Sequence, residues 1–375
     1  MMPALPLVRR PRLGLLIAAA VTITVPSLLA ILALVGHEQP APVVRASGTS
    51  LGGGSPPSGL GMRLLGKSAA AGTAASYQGV ELIAQRSVSG PQTIVSEVWH
   101  RGGLTVTQTS DTGMVASSQP YVSYDVGDRS PEGVFGLTKT LVALLGKHYV
   151  AVYQGTGLAA GRPALIVELN RPDGSLAARF WLDKQTMVPL RRDVYDTSAR
   201  LVSEEAFVQV QFGVLAPAPT VAATVTAPAG SQWAAAPAPA VLVTELNRVG
   251  WQLPAALPGG LPLYTAARSQ TGAGQVVDLC YSDGLSVVSL FVQRGTLAPK
   301  PAGWQQVSAG GHQVYVAGQS VIWSGGGFVY TMLADASPQV VTQVVAALPQ
   351  DTAPGVIERI RRGLERLGAI VDPFR

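Results

Sequence analysis

The chain has 375 residues, of which 47 % are hydrophobic and 13 % are charged, a composition that allows a buried core and argues against wholesale disorder. Its 42 glycines and 28 prolines argue against a mostly helical protein. The 27 basic and 22 acidic residues give a net charge of +5 without a long basic run, so the charge pattern does not indicate a nucleic-acid partner.

The first element is an apolar segment, residues 13–35, that contains no charged side chain. Its length matches the ~20 residues that a helix needs to cross the hydrocarbon core of a membrane. Arginines are concentrated in residues 1–12, so the positive-inside rule predicts a cytoplasmic N-terminus and extracytoplasmic domains after the span. No small-residue cleavage site follows, which favours an uncleaved anchor over a removed signal peptide. We therefore predict a single-pass protein of the cell membrane.

A Pro/Gly/Ser-rich tether, residues 36–59, and a short helix, residues 61–75, lead into segments with a hydrophobic period of two. Turn residues separate these segments, which predicts antiparallel strands joined as a meander. The predicted strands are residues 77–88, 92–100, 104–109, 148–154, 164–170, 176–182, 190–196 and 201–212. In the last of them, strict alternation predicts one shared face for Ala206, Val208, Val210 and Phe212.

Residues 135–147 interrupt the meander with leucines at helical spacing. An amphipathic stripe has to be buried, and the concave face of an open sheet is the available place. We therefore predict that this helix plugs the sheet and that a ligand or partner competes with it for the same cavity. The predicted cavity residues are Trp99, Leu137, Leu141, Leu144, Leu145, Phe180, Trp181 and Phe207.

A proline- and alanine-rich linker, residues 215–240, divides residues 60–214 from a second folded unit, residues 241–350. The predicted strands of the second unit are residues 275–282, 285–293, 312–317, 320–323 and 328–333. A helix over residues 338–348 should follow, with Ser337 as its N-cap and Pro338 in its first turn. The tail, residues 351–375, is predicted to contain an amphipathic C-terminal helix that packs on its own domain or lies on a membrane or partner.

The residues that carry chemistry form no recognisable catalytic or metal-binding pattern. The four histidines lack metal-ligand spacing, and neither a phosphate-binding glycine loop nor a nucleophile elbow occurs. Cys280 is the single cysteine, which excludes an intramolecular disulfide, and its apolar neighbours predict an unreactive thiol. Asp283 precedes Gly284, which predicts a hairpin turn. We therefore expect no enzyme activity, no cofactor and no metal ion.

Several short motifs follow one another in a characteristic order: ASYQGV at residues 75–80, PDG at 172–174, RFWLD at 179–183, EEAF at 204–207 and YSDGL at 281–285. This order resembles the MucB/RseB family. The resemblance implies an α+β fold with a LolA/LppX-like antiparallel half-barrel, plugged by helices, followed by a smaller α+β C-terminal domain.

The resemblance also implies a function. RseB-like proteins bind the outer segment of a membrane anti-sigma factor and shield it until an envelope-stress ligand competes. This implies an extracytoplasmic regulator with an anti-sigma factor or similar membrane protein as its partner, and a lipid-like ligand. The alternative is a LolA/LppX-like carrier of lipids or lipoproteins, although simple carriers of this fold lack a second domain.

Overall fold

The computed structural model describes residues 59–351, except 102–103, 112–120, 125–134, 136, 214–233, 237, 272–273 and 298–302. The predicted membrane span, tether and C-terminal helix at residues 354–367 lie outside the described residues. Within them, no helix has the length and apolar character needed to cross a membrane. The described part is an α+β structure of two antiparallel sheets, each accompanied by helices.

The first sheet is formed by nine strands in the order β4-β3-β2-β1-β9-β8-β7-β6-β5. The elements are α1 (Leu60–Ala74), β1 (Tyr77–Ser87), β2 (Gly90–Arg101), β3 (Leu104–Asp111), β4 (Tyr121–Tyr124), α2 (Lys139–His148), β5 (Val150–Ala159), β6 (Arg162–Asn170), β7 (Leu176–Asp183), β8 (Pro189–Tyr195) and β9 (Leu201–Phe212). Strands that follow one another in the chain pair side by side from β1 to β4 and from β5 to β9, so the predicted meander is confirmed.

The second sheet has the order β10-β12-β13-β14-β18-β17-β16-β15, with β11 paired to β12. Its elements are β10 (Ala234–Ala235), α3 (Pro239–Arg248), β11 (Ala256–Leu257), β12 (Leu261–Thr271), β13 (Gly274–Ser282), β14 (Val287–Arg294), β15 (Gln305–Ala309), β16 (His312–Ala317), β17 (Ser320–Gly325), β18 (Phe328–Asp335) and α4 (Pro338–Ala347). Helices α3 and α4 contribute Leu246 and Val344 to its core, where Trp323 stacks on Tyr330.

Local sequence signals account for the helix boundaries. The Thr138 side chain accepts a hydrogen bond from the Leu141 amide and caps α2, which explains why this helix begins later than its apolar pattern predicts. The Ser337 hydroxyl accepts a hydrogen bond from the Val340 amide, and Pro338 follows in the first turn, so the predicted start of α4 is confirmed.

The prediction that alternation is strict in β9 is wrong. A bulge interrupts the pairing of β9 with β1, because Val80 pairs with Gln209 while Glu81 pairs with Phe207. Val208 is the extra residue and is 36 % exposed. A bulge shifts which side chains face the core, and Phe207 is buried here in the same cluster as Val98.

Two strands of the second sheet, the long β12 and the short β15, were not predicted. Strand β12 begins with a proline at its second position and carries only weak alternation, both of which argue against a strand. It forms because β10, β11 and β13 all pair with it. Strand β15 is a short edge strand paired with β16.

Candidate functional site at the junction of the two sheets

Helix α2 lies between the two sheets and contacts both of them. Leu137 and Leu145 belong to the core of the first sheet, together with Phe180. Leu141 and Leu144 instead pack against Val287 of β14 in the second sheet. The leucines are therefore buried against two different surfaces, one from each sheet, and the helix joins the two sheets.

The turn between β13 and β14 sits directly on α2. A Cβ atom built on Gly284 would lie 2.6 Å from the Leu141 carbonyl oxygen and would also overlap the Leu145 amide. The Asp283 carboxylate holds this turn by accepting hydrogen bonds from the amides of Leu285 and Ser286, at 2.9 and 2.8 Å. The predicted turn is confirmed, and its glycine permits a close approach that any side chain would block.

Two side chains, those of Tyr149 and Arg192, complete the junction. The Tyr149 hydroxyl, just after α2, donates a hydrogen bond of 2.5 Å to Asp283. Arg192 of β8 is 3 % exposed and donates to the Phe135 carbonyl at 2.9 Å, the Leu285 carbonyl at 3.2 Å and the Asp335 carboxylate at 2.7 Å. Burial alone would lower the pKa of Arg192. The negative charges of Asp335 and Glu205 outweigh the effect of burial and hold that pKa above the usual arginine range.

A cleft of about 290 Å³ opens beside these contacts. We call it the inter-sheet cleft. Its wall from the first sheet includes Arg86, Arg171, Arg192 and Ser203, and its wall from the second includes Asp283, Asp335 and the first turn of α4. Because its wall is rich in charged and hydroxyl groups, the cleft suits a polar ligand better than an acyl chain.

Two glutamates, Glu81 and Glu205, lie on the same face of the first sheet as Arg192. Glu205 lies opposite Arg192 in the β8–β9 pair, and their charged groups are 3.6 Å apart. Burial raises the pKa of Glu205 to about 7, because its effect outweighs the attraction of Arg192. Burial and the nearby Glu205 carboxylate raise the pKa of Glu81 to about 8. Glu81 is therefore mostly protonated at neutral pH.

These two glutamates predict how stability depends on pH. Both have a pKa of about 4.5 before folding and a higher one after it, so the folded state holds more protons between pH 4.5 and pH 8. We expect the free energy of unfolding, measured by urea denaturation, to decrease as pH rises through this window. Glu81→Gln should flatten the decrease, whereas Glu245→Gln, at an exposed position of α3, should not. A stability that rises towards pH 8 would contradict the assignment.

The structure divides the eight predicted cavity residues among several places. Leu137, Leu145 and Phe180 meet in one buried cluster, and Phe207 lies in the neighbouring one. Leu141 and Leu144 face the second sheet. None of the eight lines the inter-sheet cleft. The cavity that they were predicted to form together stays a prediction.

The two tryptophans of the predicted set lie on the opposite face of the first sheet. Trp181 is adjacent to the guanidinium groups of Arg179 and Arg191, whose carbon atoms are 5.7 and 4.8 Å from its ring. Trp99 alternates with the buried Val98 and lines a shallow groove of about 160 Å³. Trp181 is therefore held by cation–π interactions, whereas Trp99 is a half-buried surface residue.

Sequence reasoning missed the residues that form the junction, Arg192 above all. One signal was present, because Arg191 and Arg192 are consecutive in a strand and their side chains must point to opposite faces. One arginine therefore had to lie on the face that Phe180 occupies. Cys280 matches its prediction, since burial and the Asp278 carboxylate raise its pKa to about 12 and keep it a thiol.

Comparison with known proteins relates the chain to one family. Residues 112–229 match the family model of the MucB/RseB N-terminal domain. No curated protein matches the chain. Among solved structures, similarity extends to MucB in complex with MucA(peri), at 19 % identity over 78 % of this chain and 100 % of that one, with a TM-score of 0.41.

Two further structures are similar over different shares of the chain. The Pseudomonas aeruginosa MucA/MucB complex matches at 21 % identity over 78 % of this chain and 99 % of that one, with a TM-score of 0.42. A LolA superfamily protein from Nitrosomonas europaea matches at 10 % identity over 42 % and 94 %, with a TM-score of 0.20. The family-model match over residues 112–229 agrees with the resemblance that the motif order in the sequence indicates.

Proposed function

We propose that this chain is a non-catalytic regulator that binds the extracytoplasmic part of a membrane anti-sigma factor or a similar membrane protein. The observation that carries the proposal is the match of residues 112–229 to the MucB/RseB N-terminal domain. Two solved MucB structures contain MucA as the bound partner. We extend that class of partner to this chain. The apolar segment at residues 13–35 would anchor the regulator in the cell membrane, with both sheets outside the cytoplasm.

The packing of α2 favours a regulator over a lipid carrier. Leu145 and Phe180 are at most 1 % exposed, so an acyl chain that entered the concave face here would first have to displace the helix. Displacement would also break the contacts of Leu141 and Leu144 with the second sheet. Entry of a lipid-like ligand would thereby change the junction, and a partner that contacts both sheets would sense the change. Ligand and partner would compete through α2.

The test is a binding titration with the full chain in detergent micelles. We expect saturable binding to the extracytoplasmic segment of an anti-sigma factor encoded by the same organism. Leu144→Ala should weaken this binding roughly tenfold, about 1.4 kcal/mol, because it loosens the face of α2 that contacts the second sheet. Lys139→Glu changes an exposed position of the same helix and should bind as the wild type does.

Three outcomes would contradict the proposal. They are the absence of saturable binding to any such segment, equal binding by Leu144→Ala and the wild type, and turnover of a substrate. Uptake of short-chain lipids without any protein binding would favour the carrier alternative. Circular dichroism on each variant separates a loss of binding from a loss of folding.

A further inference from the structure

The inter-sheet cleft brings the first turn of α4 close to arginines of the first sheet. Helix α4 has 10 residues, and Ser337, Gln339 and Val340 from its N-terminal end line the cleft. Amides in the first turn of a helix lack intrahelical partners and carry partial positive charge. Ser337 accepts from the Val340 amide and Pro338 has no amide hydrogen, so the Gln339 amide stays available to a ligand.

Two buried polar groups on the other wall also lack partners among the described residues. The Arg192 Nε and the Ser203 hydroxyl make no hydrogen bond there, although their residues are only 3 % and 8 % exposed. Both residues line the cleft. A buried donor without a hydrogen-bond partner destabilises the folded state, because it has lost its bonds to water. Two such donors beside one cavity therefore indicate a ligand that accepts hydrogen bonds.

The charge balance of the cleft determines which acceptor fits. Three aspartates line it, and each is already engaged. Asp196 pairs with Arg200 at 2.8 Å, Asp283 accepts from Tyr149, and Asp335 pairs with Arg192. Asp196 and Asp335 are thus neutralised by arginines, whereas Asp283 has no ion-pair partner among the described residues and keeps its negative charge.

Two arginines of the cleft remain without a carboxylate partner in the described part of the chain. Arg171 donates to the carbonyls of Leu176 and Tyr195, which do not neutralise its charge. Arg86 is exposed at the mouth and forms no ion pair with a described residue. These two arginines outnumber the one unpaired carboxylate, that of Asp283, so an excess of positive charge faces the cleft, and the donors around it come from both sheets.

We propose that the inter-sheet cleft binds an oxyanion of the phosphate class, either free or as a phosphomonoester headgroup. The oxyanion accepts from the Arg192 Nε, the Ser203 hydroxyl and the Gln339 amide, and Arg86 closes on it from the mouth. Anions at helix N-termini with arginine forks nearby are a recurrent arrangement in proteins. Because the donors lie on opposite walls, the bound oxyanion ties the two sheets together. This inference stands on the cleft and is independent of the anti-sigma partner proposed above.

The experiment titrates the full chain in detergent micelles with inorganic phosphate at constant ionic strength. We expect a saturable rise in the unfolding temperature, because a ligand that binds only the folded state stabilises it by RT ln(1 + [L]/Kd). Arg86→Gln should weaken phosphate affinity roughly tenfold, about 1.4 kcal/mol. Arg248→Gln, at an exposed position outside the cleft, should leave the affinity unchanged.

Ser203→Ala separates ligand binding from a purely structural role. It removes a buried hydroxyl that has no described partner, so the phosphate-free protein should be as stable as the wild type or more so, while phosphate affinity falls. No saturation in the wild type, or equal affinity of the wild type, Arg86→Gln and Ser203→Ala, would overturn the proposal. Neither result would affect the anti-sigma binding test, because that titration contains no phosphate.

A competition arm identifies the source of the oxyanion. The competitor is a soluble short-chain phosphatidic acid. A headgroup ligand is supported if this lipid displaces inorganic phosphate from the wild type but binds Arg86→Gln no more tightly than phosphate does. Phosphate binding that this lipid does not displace supports a free oxyanion.

Discussion

Gly284→Ala is expected to destabilise the protein by roughly 3 kcal/mol. Gly284 has a φ of +94°, a left-handed conformation that costs other residues ~1–2 kcal/mol. The added methyl group would also meet backbone atoms of α2, 2.6 Å from the Leu141 carbonyl oxygen, and backbone cannot rotate away. The turn must therefore lift off the helix. Urea denaturation measures the loss, and hydrogen exchange should show earlier opening of α2.

Gly327→Ala is the matched control for this prediction. Gly327 has a φ of +82° in another turn of the same sheet, and an added Cβ would meet nothing within 4 Å. It should carry only the conformational cost, ~1–2 kcal/mol, and leave exchange in α2 unchanged. Equal losses for the two variants would mean that the turn does not rest on the helix as the structure has it.

Arg192→Met is expected to cost roughly 3–5 kcal/mol in the free energy of unfolding, the range for breaking a buried ion pair from one side. The change leaves the Asp335 carboxylate and two carbonyl oxygens, those of Phe135 and Leu285, without their donor. Leu285 and Asp335 belong to the second sheet, so the two sheets should also separate more readily. Equilibrium denaturation, followed by fluorescence, measures both effects.

Two further variants test whether the loss of stability in Arg192→Met comes from its buried ion pair. Arg200→Gln removes an arginine that is 75 % exposed and pairs with Asp196, and it should cost less than about 1 kcal/mol. Arg192→Lys keeps the charge but loses the planar fork, so it should recover only part of the stability. If Arg192→Met were as stable as Arg200→Gln, Arg192 would not connect the two sheets.

The sequence by itself determined the features whose causes are local. Alternating apolar residues and turn residues predicted the meander of the first sheet, because strand period and turn chemistry act over a few residues. The same holds for the turn at Asp283 and for the Ser337 cap of α4. The order of short motifs also indicated a resemblance to the MucB/RseB family, whose N-terminal domain model matches residues 112–229.

The tertiary structure alone decided what each buried side chain contacts. A leucine stripe shows that a helix is buried but not against what, so the division of α2 between the two sheets could not be predicted. The bulge at Val208 likewise depends on the pairing of β9 with β1. Arg192 is the clearest case, because its carboxylate partner Asp335 lies 143 residues away along the chain. A charged side chain can be buried only where an oppositely charged partner is close to it, and here only the folding of the whole chain brings Arg192 and Asp335 together.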